Sequence, residues 1–348
     1  MLITTTEYFL LFLLAFGIVA VLTPVMRKIA ISKKILDLPV SSHKSHKVAV
    51  PYLGGIAILI GVIVVSYLAL FFSELTVSNF SLATSVLAPA VAMGLVGLWD
   101  DMRNLPPLPR FIAQSLSGIV VALVLIVTDN VANPTGSTFI DAILTLCWVV
   151  GICNSINFFD NLDGGAAGTT AISVMFLAYI AIAGEQFFVA ALSIVVVGAT
   201  LGFLIWNKAP ARIYMGDAGA LFLGVLVASL TIRLNPTTET SIGSFATPIL
   251  LLAIPILDTS VAIISRLKRR ISPFVGGTDH LSHRLLRMGL QRKSTAILLW
   301  SFSAFFGLVA LIINLRLNDY EIFIVIVTLI LWIIMLLFFL RTLDNSDR

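Results

Sequence analysis

The 348-residue chain is 59% hydrophobic and only 11% charged, with a formal net charge of +4. Its mean hydropathy is +1.04. An ordinary water-soluble domain is nearer half apolar and a quarter charged, so this composition excludes one. The expected class is an all-α polytopic membrane protein, in which an apolar run of about 20 residues crosses the bilayer as a helix.

Eleven apolar segments have spanning length, and all are helix-length runs rather than the short alternating strands of a barrel. The first, 8–26, has neither a basic region before it nor a small-residue cleavage site, so it is expected to remain as the first span. The loop after it carries "SSHKSHKVAVPYLGG", with His43, Lys44, His46 and Lys47. Spans 52–72 and 81–99 follow, and the second ends in "GLWDDMRNL", at Asp100 and Asp101. Pro106-Pro107 precedes span 111–128, and Asn133-Pro134-Thr135-Gly136 precedes span 140–158. That fifth span holds Cys147 and Cys153, expected as small buried hydrophobes and not as a disulfide. It ends in "NSINFFDNLDGGAAG", with Asn157, Asp160 and Asp163. Spans 167–184 and 187–206 come next, and "RIYMGDAGALFLG" opens span 217–234 at Asp217. Beyond Asn235-Pro236, span 245–265 contains Asp258. An ionisable residue within a span is a functional candidate by default, the alternative being a carboxylate bonded to a neighbouring backbone. The next loop holds Asp279, His280, His283, Arg284 and Arg287, and as a helix it would set the last four on one face. Spans 295–315 and 321–340 complete a single integral-membrane domain over 1–348.

With the N-terminus outside, the C-terminus is cytoplasmic. All but two of the 22 Lys and Arg, Arg233 and Arg316, then face the cytoplasm. This basic face also draws anionic membrane lipids. The functional loops are about 27–51, 100–110, 159–166, 207–216 and 266–294. Asp100, Asp101, Asp160, Asp163 and Asp217 all fall at the cytoplasmic boundary, from three separate loops that a bundle can converge into one cleft. Carboxylates are hard ligands for Mg²⁺, which takes one or two of them together with substrate phosphates. Glycines allow close approach of backbone to ligand, and the helix opening at Gly216-Asp217 offers free N–H groups to an anion. Basic side chains nearby suit a diphosphate. Taken singly, each of these loops could be only a helix cap. Two His at i, i+3 could also bind zinc, but no thiol or third close ligand accompanies them.

"GLWDD", "NSINFFDNLDGGAAG", "RIYMGDAGALFLG" and "DHLSHRL", in this order, resemble the polyprenyl-phosphate N-acetylhexosamine-1-phosphate transferases. The resemblance covers about residues 10–295 and takes in both the UDP-GlcNAc-type enzymes and the phospho-MurNAc-pentapeptide translocases. It implies that a polyprenyl (undecaprenyl) phosphate attacks the β-phosphate of a UDP-N-acetylhexosamine, most simply UDP-GlcNAc. UMP leaves and a lipid diphosphate-linked sugar stays in the membrane, the first membrane step of a cell-wall or cell-surface polysaccharide. The implied cofactor is Mg²⁺, with Mn²⁺ as an alternative, and the implied location is the plasma membrane with the site facing the cytoplasm. By motif, Asp100 and Asp101 match the aspartate pair, Asp100 accepting a proton from the lipid phosphate or positioning it. Asn157 and Asp160 match the pair flanking metal and diphosphate. Asp163, with Lys47, matches the uridine position. Asp217 matches the principal metal ligand, with Asn157 beside it, and His280, His283 and Arg284 match the basic motif that meets the diphosphate.

The chain departs from the family pattern in two places. Asp160-Asn161-Leu162-Asp163-Gly164-Gly165 stands where D-G-L-D-G-L is common, and His280-Leu281-Ser282-His283 stands in place of consecutive histidines. The second departure, without a preceding Pro-Leu, favours a UDP-GlcNAc-type donor over UDP-MurNAc-pentapeptide. The rival from another class is a cation-coupled secondary transporter, whose sites lie near the midplane and not at one boundary. No nucleic acid is implied as a partner, and the oligomeric state, a homodimer included, stays open.

Overall fold

The computed structural model describes residues 4–37, 49–72, 76–103, 105–127, 135–238, 240–272, 277–315 and 320–342. Lys47, with His43, Lys44 and His46, lies outside these described residues. The helices are α1 (Thr5–Ser32), α2 (Gly54–Phe72), α3 (Val77–Arg103), α4 (Pro107–Val127), α5 (Thr138–Phe159), α6 (Gly165–Ala183) and α7 (Phe187–Asn207). They continue with α8 (Gly216–Arg233), α9 (Ser241–Leu251), α10 (Ala253–Lys268), α11 (Leu281–Arg287), α12 (Arg292–Asn314) and α13 (Glu321–Arg341). One short antiparallel ribbon, β1 (Leu36–Asp37) with β2 (Val50–Pro51), pairs Leu36 with Pro51 and Asp37 with Val50. The chain is an all-α polytopic integral membrane protein.

Each of the eleven expected segments falls on a helix or a helix pair. Among the described residues, however, nine helices are long and apolar enough to cross, or ten if one bent pair counts as a span. The apolar stretch of α4, Leu108–Val124, is shorter than any of those nine. The expected straight span 245–265 is a further correction: α9 and α10 meet at Leu252 with a bend of 74°. Proline explains the break, because Pro248 and Pro255 donate no helical hydrogen bond and crowd the preceding turn. Cys147 also departs from expectation: it is exposed on α5, while Cys153 is buried, and both are free thiols.

The middle of the bundle is α8. Every residue from Ala218 to Thr231 is buried, as befits a helix that is apolar all round. It packs mainly against α3, α5 and α2, while α1, α7, α6 and α12 form the adjoining row. At the opposite extreme is α13, where only Glu321, Thr328, Phe339 and Leu340 are buried. Its remaining apolar surface suits lipid tails, not water.

Close packing brings α3 against the start of α8. A Cβ at Gly97 would lie 2.3 Å from the Asp217 carbonyl oxygen, so only glycine lets the two backbones meet there. The segment before α2 is laced to the segment before α8: Tyr214 N donates to Pro51 O at 2.9 Å, and Gly54 N to Tyr214 O at 3.0 Å. The beginnings of α2 and α8, with the ends of α3 and α5, therefore lie at one end of the bundle.

Candidate active site

Asp217 opens α8 behind Gly216, which turns with φ +72°. The first N–H groups of a helix lack intrahelical partners, and here a carboxylate from another helix takes two of them. Asp101 Oδ1 accepts from Asp217 N at 2.9 Å and Oδ2 from Ala218 N at 3.1 Å. A negative charge at a helix N-terminus is favourable. A Cβ at Gly216 would lie 2.6 Å from Asp101 Oδ2, so the glycine makes room for this cap as well as for the turn. Asp101 thus fixes where Asp217 stands.

The Asp217 side chain joins three helices. Its Oδ1 accepts from Asn157 Nδ2 at 2.7 Å, and its Oδ2 from Arg110 Nη1 at 3.0 Å. The same Arg110 nitrogen lies 2.7 Å from Asp100 Oδ2, and Asp100 Oδ1 accepts from Leu105 N at 2.6 Å. Arg110 was not singled out from sequence. One basic residue at the start of a span looks like any other topology anchor, and only its contact with the distant Asp217 as well as with nearby Asp100 sets it apart.

Asp160 and Asp163 follow α5. Asp160 is partly buried, and its carboxyl is pushed up to about 7, first by burial and then by the Asp217 and Asp163 charges. Asp163 is buried, its Oδ2 accepting from Ala211 N at 3.1 Å and its Oδ1 from Arg292 Nη1 at 3.3 Å. Arg292, at the start of α12, also escaped the sequence reading, hidden in a strongly basic loop. Beside them, burial and then the Asp163 charge raise the Tyr214 phenol, with Arg292 opposing.

The 279–287 loop behaves less as expected. It does form a helix, but His280 caps it and points inward. His280 Nδ1 lies 2.7 Å from Asp258 Oδ2, and Nε2 lies 3.2 Å from Arg266 Nη2. A guanidinium only donates, so Nε2 accepts and the proton sits on Nδ1. Asp258 Oδ1 also accepts from Leu281 N at 2.6 Å. Asp258 is therefore the residue that orients His280. Arg284 was expected to reach a diphosphate, but it is buried within the packing of α10, α11 and α13. Its Nε donates to Asp279 O at 2.7 Å, Nη2 to Ser265 Oγ at 2.7 Å, and Nη1 to Phe339 O. Burial lowers its pKa to about 10, which leaves it charged at neutral pH. His283 is half-buried and has no hydrogen-bond partner among the described residues. Burial, with His280 and Arg287 adding repulsion, lowers its pKa to about 4. His283 is then a neutral hydrogen-bonding group and not a cation. Replacing Asp258 with Asn should lower turnover about 10- to 100-fold, as loss of a histidine-orienting partner does elsewhere. Initial rates compared with unfolding temperature check this, and an unchanged rate would remove His280 from the functional machinery.

Among the described residues no group of three His, Cys, Asp or Glu converges on a metal position. The donor set does fit a hard cation that completes its shell with water and phosphate. Asp217 supplies carboxylate oxygens, and Asn157, whose Nδ2 donates to Asp217 Oδ1 at 2.7 Å, carries an amide oxygen on the same side chain. Asp100 and Asp217 already share a cation, the Arg110 guanidinium, so positive charge is accommodated between them.

Residues 83–235 match the glycosyl transferase family 4 model. That stretch includes Asp100, Asp101, Arg110, Asn157, Asp160, Asp163 and Asp217. A probable undecaprenyl-phosphate N-acetylglucosaminyl 1-phosphate transferase of Bacillus subtilis is 31% identical over 308 residues, 87% of this chain and 84% of that protein. A decaprenyl-phosphate N-acetylglucosaminephosphotransferase of Mycolicibacterium smegmatis is 31% identical over 283 residues, 73% of this chain and 70% of its own. A phospho-N-acetylmuramoyl-pentapeptide-transferase of Staphylococcus saprophyticus is 27% identical over 322 residues, 86% of this chain and 95% of its own. On the family match and these relatives, the chain belongs to glycosyl transferase family 4, within the polyprenyl-phosphate N-acetylhexosamine-1-phosphate transferases.

Proposed function

We propose that the protein transfers N-acetylhexosamine-1-phosphate, GlcNAc-1-phosphate first among the donors, from a UDP-sugar to a polyprenyl phosphate in the plasma membrane. A phosphate oxygen of the lipid forms a bond to the β-phosphorus of the donor. The bond from that phosphorus to the oxygen bridging the α-phosphate breaks, and UMP leaves with that oxygen. The observation that carries this reading is the network of Asp100, Arg110, Asn157 and Asp217, drawn from four helices at one end of the bundle. That end is proposed to face the cytoplasm, as the distribution of Lys and Arg favours.

Asp217 and Asn157 would hold the divalent cation, Mg²⁺ or Mn²⁺. When bound, it neutralises charge on the diphosphate and on the departing UMP. The other roles belong to the chain. Asp101 fixes Asp217 through the start of α8. Arg110 presents a guanidinium to the incoming lipid phosphate, and Asp100 holds Arg110 in place or receives the phosphate's proton. Asp160 borders the metal and diphosphate. His283 offers a neutral imidazole to the diphosphate, while His280, held by Asp258, braces the turn beside it. Asp163, with Arg292 and Tyr214, forms the wall assigned to uridine, and Lys47 is assigned there by motif.

The test is purified protein with polyprenyl phosphate, Mg²⁺ and a panel of UDP-GlcNAc, UDP-GalNAc and UDP-MurNAc-pentapeptide. UMP and a lipid-linked sugar are expected from UDP-GlcNAc. Turnover of the pentapeptide donor alone would move the chain to the translocase activity. Absence of turnover across the panel, with uptake of a solute into vesicles, would replace the transferase by a transporter. In the same assay Asp163→Asn is expected to raise the donor KM about 10-fold and to leave kcat within about 3-fold, because uniform binding is lost. A pure kcat effect would move Asp163 from recognition to chemistry.

A further inference from the structure

Asn161 and Ser282, one from each stretch that departs from the family's usual pattern, are 121 residues apart in sequence and touch in the structure. The buried Ser282 hydroxyl donates to Asn161 Oδ1. Asn161 Nδ2 in turn donates to Phe158 O at 2.7 Å, at the end of α5. A second contact crosses the same gap: the Phe158 ring meets His280 edge to face, with centroids 6.1 Å apart. Arg266, which also bonds His280, lies over that ring at 5.9 Å. The end of α5 with the loop after it and the start of α11 with its cap are thus joined twice, once through hydrogen bonds and once through aromatic packing.

We infer that Asn161 and Ser282 form a positioning pair that fixes the loop carrying Asp160 against the helix turn carrying His283. Asp160 precedes Asn161 and His283 follows Ser282, so the paired side chains set the separation of their neighbours through one peptide unit on each side. A glycine at 161 has no group to reach Ser282, and Ser282 without an acceptor would leave a buried hydroxyl unpaired, which is unfavourable. Each residue therefore accounts for the other. A misplacement of about 1 Å between groups that act together can lower a rate by about two orders of magnitude. A partner that only orients such groups typically contributes about 10-fold or more.

This inference rests on the transferase reading, and its test separates the two. Ser282→Ala and Asn161→Ala, singly and together, are assayed for UMP release from UDP-GlcNAc, and amide hydrogen exchange is followed in bilayer discs. Each single change is expected to lower kcat about 10-fold and to leave the donor KM within about 3-fold. The double change should be no worse than the more damaging single one, as for two residues sharing one interaction. Ser282→Thr, which keeps the hydroxyl, should recover most of the rate and serves if an alanine variant does not fold. Either single change should speed exchange in both 159–164 and 281–287. Multiplying losses, an unchanged kcat, or exchange altered only around the substituted residue would each overturn the pair. If the wild-type protein releases no UMP, the transferase reading fails, and the exchange result alone decides whether the two segments are clamped together.

Discussion

Asp217→Asn is expected to lower UMP release by at least about three orders of magnitude, which corresponds to about 4 kcal/mol of lost transition-state stabilisation. The substitution is nearly isosteric, so α8 and its Asp101 cap should persist. What changes is the acceptor facing Asn157 and Arg110. One amide oxygen can satisfy one of those donors and the amide nitrogen meets the other as a second donor, while the negative charge that would bind a divalent cation is gone. The unfolding temperature of the purified protein should move far less than its rate. Turnover within tenfold of the wild type would show that Asp217 is not the main cation ligand, because an interaction serving a transferring phosphoryl group cannot be lost so cheaply.

Arg110→Met should be the second most damaging change, and it should act on both stability and rate. Removing one member of a buried ion pair leaves an uncompensated charge, at about 3–5 kcal/mol when burial is complete. Arg110 keeps 23% of its side-chain surface and Asp217 29%, so the lower part of that range or less applies to stability. Turnover should fall about 100-fold or more, since the same guanidinium is assigned to the incoming lipid phosphate. Arg110→Lys should recover only part, because an ammonium restores the charge without the guanidinium's geometry. Added Mg²⁺ should raise the unfolding temperature of Arg110→Met more than that of the wild type, since a divalent cation then replaces the missing positive charge beside Asp100 and Asp217. A variant that keeps wild-type rate and stability would mean that the bridge Asp100–Arg110–Asp217 has no part in function.

Much of the architecture was legible in the chain because spanning a bilayer imposes a length and a composition on each helix. The acids could be grouped for the same reason: once the apolar runs are placed, Asp100, Asp101, Asp160, Asp163 and Asp217 can only lie near one end. The pattern was weaker where hydropathy is silent. Pro248 and Pro255 lie in a run apolar enough to read as one span, yet the structure bends there by 74°. A window average does not register a missing N–H. The 279–287 loop misled for a related reason, since helical spacing says which residues share a face but not what that face meets. Arg284 shares its turn with His283 but is tied to Ser265 and Phe339.

The amino-acid order alone determined the class, the approximate spans, the clustering of carboxylates and the family, because these depend on composition, on the period of a helix and on short motifs. Tertiary structure decided which groups each carboxylate meets. It made Asp101 a helix cap and gave Asp217 a shared guanidinium. It also set Asp258 behind His280 and joined Asn161 to Ser282. Those assignments depend on side chains from distant parts of the chain meeting within about 3 Å, the range of a hydrogen bond, and no local pattern in the sequence carries that distance.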